Sequence, residues 1–335
     1  TLDFFENVVC FAAGTHLATP GGEVPVERLA IGDPVLTASG KAKPIRWIGH
    51  GCHLITKPRL DGAAPVIVRA GALGEGMPRR DLRLTKGHSL FVDGVLIPVE
   101  FLINHRTILW DDRPQVIEFY HVELEGHDVL IAEGAPSESY RDDGNRGMFD
   151  SVNPAWDVRP EIPPCAPVLT VGPEVDRAWR RLSELAGQPA ALTGDPDLHL
   201  VADGARVDAA SVADQVYRFE LAAAPATLRV ASRSAVPAAV GLNRDERRLG
   251  VALRRIVLSA GGAPMELGYE SACLTEGFHA PEPEPGFRWT AGDAAIWPGG
   301  LAMFNGPLTV ELHVGCTALY PMDEEKPRAR LIRVA

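Results

Sequence analysis

Five cysteines, at positions 10, 52, 165, 273 and 316, are scattered along 335 residues, and Cys10 has the chemically suggestive neighbourhood. A Cys thiol is the best nucleophile a protein has near neutral pH, with a reference pKa of about 8.5. Attack by the Cys10 thiol on the carbonyl of Val9 would exchange the Val9–Cys10 amide for a thioester. The amide is the more stable of the two. A site that performs the exchange must therefore strain the scissile bond, protonate the departing amine and stabilise the tetrahedral oxyanion. Histidine suits the proton transfer because its ring both accepts and donates near pH 7. Downstream, Thr85-Lys-Gly-His88 sets a hydroxyl and an imidazole three residues apart. Taken alone, this pattern fits a strand end and a capped turn as well as it fits catalysis.

The elements around these residues read as short strands. Residues 15–26 form two strands around Gly21-Gly22, and Val35–Gly40 leads into Pro44–Ile48. Leu90-Phe-Val-Asp-Gly-Val-Leu-Ile97 puts Asp-Gly between apolar runs, a strong hairpin signal. Val116–Ile131 supplies two more strands broken at Glu125-Gly126, and no helix of convincing length precedes residue 140. The fold class expected for this region is mainly β, built of short antiparallel strands. Residues 150–174 hold prolines at 154, 160, 163, 164, 167 and 173 and read as a linker. Val175 to Ala186 then predicts one amphipathic helix, with Val175, Ala178, Trp179, Leu182 and Leu185 on one face and Gly187 as its stop. Strand-like runs return at Val216–Leu221, Thr227–Ser232, Val251–Leu258, Ala294–Pro298 and Leu308–Val314, as in a second, sandwich-like β domain.

Four blocks occur in order over the first region: Cys10-Phe-Ala-Ala-Gly-Thr15, Val26-Glu-Arg-Leu-Ala-Ile-Gly-Asp-Pro-Val35, Thr85-x-x-His88 and Phe119-Tyr-His-Val-Glu-Leu-Glu-Gly-His-Asp-Val-Leu-Ile-Ala-Glu-Gly134. Together they resemble the Hint (hedgehog/intein) family, in its bacterial form, over residues 10–134. The resemblance implies an N–S acyl shift at Cys10, with Thr85 orienting the scissile amide and His88 protonating the Cys10 nitrogen as it leaves. His121 stands where many inteins carry Asp or Cys, and it implies a further acid or base. His127 matches the closing histidine, and Asp33 is expected to form a turn through its side chain rather than to act in catalysis. The expected layout is an upstream stub over residues 1–9, an autoprocessing domain over 10–149, a linker over 150–174, and a helix plus C-terminal β domain over 175–335.

Departures from the family narrow the expectation. Splicing needs an Asn at the downstream junction followed by Cys, Ser or Thr, and no such pair lies just after Gly134, where Asn145 is followed by Arg146. Sterol transfer, as in hedgehog proteins, would use an apolar downstream segment, whereas residues 135–174 are polar and Pro-rich. Cleavage before Cys10 is the expected outcome: a single-turnover reaction on the chain's own upstream polypeptide, with water or a small nucleophile taking the thioester. The alternative is an inactive Hint relic in a surface or partner-binding protein, with glycan or protein held near Trp289 and Trp297. A cysteine hydrolase acting in trans is a poorer third, lacking a triad or oxyanion signature.

Composition bounds the rest. A formal charge of -11 argues against nucleic acid or anionic lipid as the main partner. No apolar run approaches the roughly 20 residues of a membrane span. With no Cys-x-x-Cys and an odd cysteine count, neither a metal site nor a disulfide framework is suggested, and no cofactor is implied. The compartment is left open, with an extracellular or cell-surface setting the favoured expectation.

Overall fold

The computed structural model describes residues 9–55, 64–113, 115–141, 146, 149, 162–187 and 191–322. The chain divides into two compact units, residues 1–188 and 189–335. Both are mainly β, built from short antiparallel strands. The expected upstream stub, apart from Val9, and residues 150–161 of the expected linker lie outside the described residues.

Among the described residues, the first unit holds a two-stranded sheet, Pro34–Leu36 with Ala42–Pro44, and two six-stranded ones. In one, the two-residue strand Phe11–Ala12 lies between Leu82–Leu84 and Gln115–Glu123, with Val66–Val68, Ile108–Trp110 and Trp47–Ile55 outside them. In the other, Ser89–Val92 lies between Val95–Pro98 and Ala135–Glu138, and Val129–Ala132, His16–Thr19 and Gly22–Pro25 continue the sheet. The Asp93-Gly94 turn takes φ of 50° and 88°, and Val95 pairs with Val92. Positive φ at both turn residues matches the right-handed twist of the flanking strands, which is why Asp-Gly closes this hairpin. Glu133-Gly134 repeats the geometry at φ of 50° and 84° and sends the chain back as Ala135–Glu138. Gly51 pairs with Phe119, whose ring comes within 2.5 Å of where a Cβ would stand, so the strand needs a glycine there.

The helix covers Pro173–Leu185 and starts on a proline, whose missing N–H costs nothing in the first turn. Val175, Ala178, Trp179 and Leu182 are buried as the periodicity predicts, whereas Leu185 is 51% exposed. The sequence reading groups this helix with the C-terminal domain; the structure docks it on the first unit. Val175, Ala178 and Leu182 join the same core as Leu84, Leu90 and Leu130. Trp179 Nε1 donates to the Ile103 carbonyl at 2.8 Å, and Arg106 donates to the carbonyl of Ser183 at 2.6 Å and to that of Gly187. Arg106 thereby satisfies carbonyls that a helix C-terminus leaves without partners. The described part of the linker is also structured on this unit. Leu96 N–H donates to Pro167 O, and Leu169 N–H to Leu96 O, both at 2.9 Å.

In the second unit, Val216–Leu221, Leu308–Thr317 and Val251–Ser259 pair side by side within one sheet. His199–Ala202, Leu228–Ala231 and Asp293–Ala295 pair in another. Phe219, Ile256, Val310 and Leu312 from the first share one core with Leu200 and Val230 from the second, a sandwich arrangement. The run expected as a strand over 294–298 divides into Asp293–Ala295 and a short helix, Pro298–Leu301. The aromatic groove expected of a binding protein is not formed around Trp289. That side chain is 8% exposed and packs against Leu249 and Ala252, while Trp297 alone is 41% exposed. No helix among the described residues is long and apolar enough to cross a membrane.

Candidate active site

The register of the first sheet assembles the site. Phe11 pairs with Leu84 on one side and with Tyr120 on the other. One step back along these antiparallel ladders, Cys10 stands opposite both Thr85 and His121. Directly opposed residues share a sheet face, so residues 75 and 111 positions from Cys10 in sequence project to the same side. Cys10 N–H donates to Thr85 Oγ1 at 2.7 Å, and Thr85 N–H returns a bond to the Cys10 carbonyl at 3.1 Å.

The spacing of Thr85 and His88 has a structural cause. His88 N–H donates to the Thr85 carbonyl at 3.0 Å, closing a four-residue turn. This turn leads from Leu82–Leu84 in one sheet to Ser89–Val92 in the other. Its last residue, His88, thus sits at the passage from one sheet to the other. Val9 lies beside the turn, its Cγ2 3.9 Å from the position of a Cβ on Gly87.

His88 and His121 are fully buried, their ring centroids 5.2 Å apart, and Phe11 packs on His88 at 4.3 Å. Neither ring nitrogen of either histidine has a hydrogen-bond partner among the described residues. Burial, only partly offset by the Glu138 carboxylate, pushes the His88 pKa down to about 4. Burial, with the neighbouring His88 and His127 adding to it, holds His121 well below the ordinary range. Both rings are therefore neutral at pH 7 and able to accept a proton. The Cys10 thiol is also fully buried, packed with Trp47, Phe119, Tyr140 and Phe149, and burial raises its pKa well above the usual value. This is not a thiol activated by a depressed pKa. A thiolate there can form only as a base removes the proton.

His127 is brought to the edge of the same cluster. Its Nδ1 accepts the Cys165 N–H at 3.0 Å, and its Nε2 lies 3.5 Å from Glu138 Oε2. That separation is an electrostatic contact rather than a good hydrogen bond. Asp33 is placed differently. Its Oδ2 accepts the Ala30 N–H at 2.9 Å, and its own N–H donates to the Ala30 carbonyl at 3.1 Å, so the side chain closes a turn.

Two residues of the cluster carry no signal in the ordered motif blocks. Glu138 is 5% exposed and accepts the Ser89 N–H through Oε1 at 2.5 Å. Its pKa is lowered: burial alone would raise it, but His127, His88 and the Ser89 N–H together outweigh that penalty. Tyr140 sets its ring 5.1 Å from His121 and 5.0 Å from Trp47. Glu133-Gly134 is a recognisable turn pair, but Pro136 argues against a following strand, and Glu138 is hidden behind it. No group of three or more residues suited to holding a metal occurs among the described residues.

Residues 9–144 match the family model described as Hint domain. No curated protein matches the chain. Among solved structures, the MchDnaB-1 intein is 19% identical, with 39% of this chain and 99% of that one covered, at a TM-score of 0.29. The bacterial intein-like domain from Clostridium thermocellum is 14% identical, covering 40% and 99%, at 0.30. A DnaB intein from Synechocystis is 12% identical, covering 40% and 99%, at 0.28. No residue's role follows from likenesses at this level.

Proposed function

The chain is a Hint-domain protein through residues 9–144, and we propose that this domain cleaves its own backbone before Cys10 without splicing. The observation that carries this reading is the row of Cys10, Thr85 and His121 across three strands, with the Cys10 N–H held by Thr85 Oγ1 at 2.7 Å. The hydrogen bond fixes the plane of the Val9–Cys10 amide.

In the proposed reaction Cys10 Sγ bonds to the Val9 carbonyl carbon, and the carbon–nitrogen bond breaks. The thiol proton must leave and the Cys10 nitrogen must gain one. The two neutral histidines share these transfers, so the step needs no net proton from solvent. His121 shares the sheet face of Cys10 and is the base for the thiol. His88, at the end of the Thr85 turn, delivers the proton to the departing nitrogen. The rings lie 5.2 Å apart in a fully buried cluster, and the proton taken by His121 passes to His88 before it reaches the nitrogen. Burial makes either free ion, thiolate or imidazolium, costly, which favours concerted movement of proton and electron pair. The thioester then passes to an external nucleophile, and the absence of an Asn followed by Cys, Ser or Thr just after Gly134 removes the partner that splicing would require.

The test is a fusion carrying a reporter upstream of Val9. Incubation with dithiothreitol should release the reporter with a break before Cys10, and Cys10→Ala should remain whole. A folded wild-type fusion that never cleaves, even with thiol, would sink the proposal and leave an inactive Hint relic as the reading.

A further inference from the structure

Four carboxylates are buried among the described residues, on Asp111, Glu123, Glu133 and Glu138. Three of them meet an arginine: Arg83 reaches Asp111 at 2.6 Å, Arg146 reaches Glu123 at 2.7 Å and Arg80 reaches Glu133 at 2.6 Å. Among the described residues no arginine or lysine pairs with Glu138. Its Oε1 accepts the Ser89 N–H at 2.5 Å, and its Oε2 lies 3.5 Å from His127 Nε2. Glu100 and Arg141 line one cavity with it, and no ion pair joins Arg141 to it. Burying a carboxylate without a fixed cation is costly, and the acyl shift as written above leaves this one unused.

The groups that face Glu138 are histidines. Ser89 follows His88 directly, so the carboxylate is fixed one peptide away from that residue, and its charge favours the protonated His88 ring. The Glu138 main-chain carbonyl acts in the same direction on both His88 and His121. His127 faces the second carboxylate oxygen, with its Nδ1 held by the Cys165 N–H. The Cys165 thiol also feels the charge.

We propose that Glu138 is a positioning residue for the acyl shift, its carboxylate supplying the counter-charge that lets a proton cross the histidine pair. The inference rests on the reaction proposed above. As Cys10 Sγ gives its proton to His121 and the proton moves on to His88, positive charge develops where burial disfavours it. A neighbouring opposite charge favours the charged form. Glu138 provides that charge, and an arginine on it, as on the other three buried carboxylates, would cancel the effect. Glu138 keeps its own charge throughout. The proton lost by sulfur is the one gained by the Cys10 nitrogen, so the step balances without a proton on the carboxylate.

The test treats the reporter fusion with dithiothreitol over a range of concentrations at pH 7. At saturating thiol the acyl shift limits release, whereas the half-maximal concentration also depends on attack by the thiol. Glu138→Gln keeps an acceptor for the Ser89 N–H and removes the charge. Its plateau rate should fall by about tenfold or more, with no rise in the half-maximal concentration. Glu138→Asp, which keeps the charge, should recover several-fold of that loss. A carboxylate that only accepts the Ser89 N–H would leave the Gln plateau unchanged, and that result overturns the inference. An Asp variant no faster than a folded Gln variant overturns it too. If Glu138→Gln fails to fold, carbon-13 NMR of the Cys10→Ala protein decides. The Glu138 Cδ signal, assigned by its loss in Glu138→Asp, should hold its carboxylate position from pH 7 to pH 5, and a protonated carboxyl at pH 6 overturns the inference. A wild type that no thiol cleaves overturns the acyl shift itself, a result distinct from a cleaving wild type with an unchanged Gln plateau.

Discussion

Acid should unfold the first unit through its buried histidines, and the size of the effect can be worked from His88. In the unfolded chain this ring titrates near 6.5, whereas in the fold burial lowers it to about 4. A group with a depressed pKa stabilises the fold fully above its unfolded value and loses that contribution as pH falls toward the folded one. The window is therefore pH 6.5 down to about 4. The gap corresponds to roughly 3 kcal/mol of folding free energy, and His121 shifts in the same direction and adds to it. Glu138, whose pKa is lowered from 4.5, loses its contribution only at lower pH and leaves most of the window to the histidines. Urea unfolding would be followed by hydrogen exchange of peptides within residues 10–141, in a Cys10→Ala background so that cleavage does not intervene. Stability should fall by about 3 kcal/mol or more between pH 7 and pH 4, and His88→Leu should remove about 3 kcal/mol of that dependence. A flat profile across the window, or an unchanged slope in His88→Leu, would refute the argument that desolvation keeps the rings neutral.

Other outcomes follow from single contacts. Thr85→Val keeps the shape but strips the acceptor from the buried Cys10 N–H; it should cost about 1–3 kcal/mol in stability, and thiol-induced release of an upstream reporter should slow by about tenfold or more. Leu182→Ala, in the core shared with Leu84 and Leu90, should cost about 2–5 kcal/mol, with hydrogen exchange rising in the first unit and not in residues 191–322. Equal destabilisation of the second unit alone would return the helix to the C-terminal domain. Gly94→Val places a β-branched residue at φ 88° in the Asp93-Gly94 turn and should cost about 1–2 kcal/mol, read as a lower urea midpoint. At the alkaline end, the raised Cys10 pKa means the fold disfavours the thiolate. Stability should decline as pH rises above about 9, and Cys10→Ser should blunt that decline.

The sequence by itself determined the local structure wherever a residue type has one inexpensive conformation. Asp93-Gly94 reads as a hairpin because few pairs tolerate two positive φ angles in succession. The apolar spacing of Val175, Ala178, Trp179 and Leu182 reads as a helix because those positions fall on one side of a 3.6-residue repeat. Thr85 and His88 were legible as a pair, and so were Cys10 and His121 as ordered motif members. Leu185 shows the limit of periodicity: it continues the stripe, yet it lies beyond the surface the helix covers.

Tertiary structure decided what those residues meet. The helix's apolar face has no label saying which core it will join, and Asn104, Arg106 and the Ile103 carbonyl settle it from the first unit. Glu138 reaches the histidine cluster only because two hairpins lie side by side, pairing Ser137 with Leu90, and Pro136 conceals that strand from any local pattern. The protonation states are likewise collective. No window of sequence carries the desolvation that holds His88 and His121 neutral and the Cys10 thiol protonated, because burial is supplied by Phe11, Tyr140 and Trp47 from separate strands and loops. Residue types name the chemistry available at Cys10; the pairing register of three strands decides that a hydroxyl and an imidazole stand across from it.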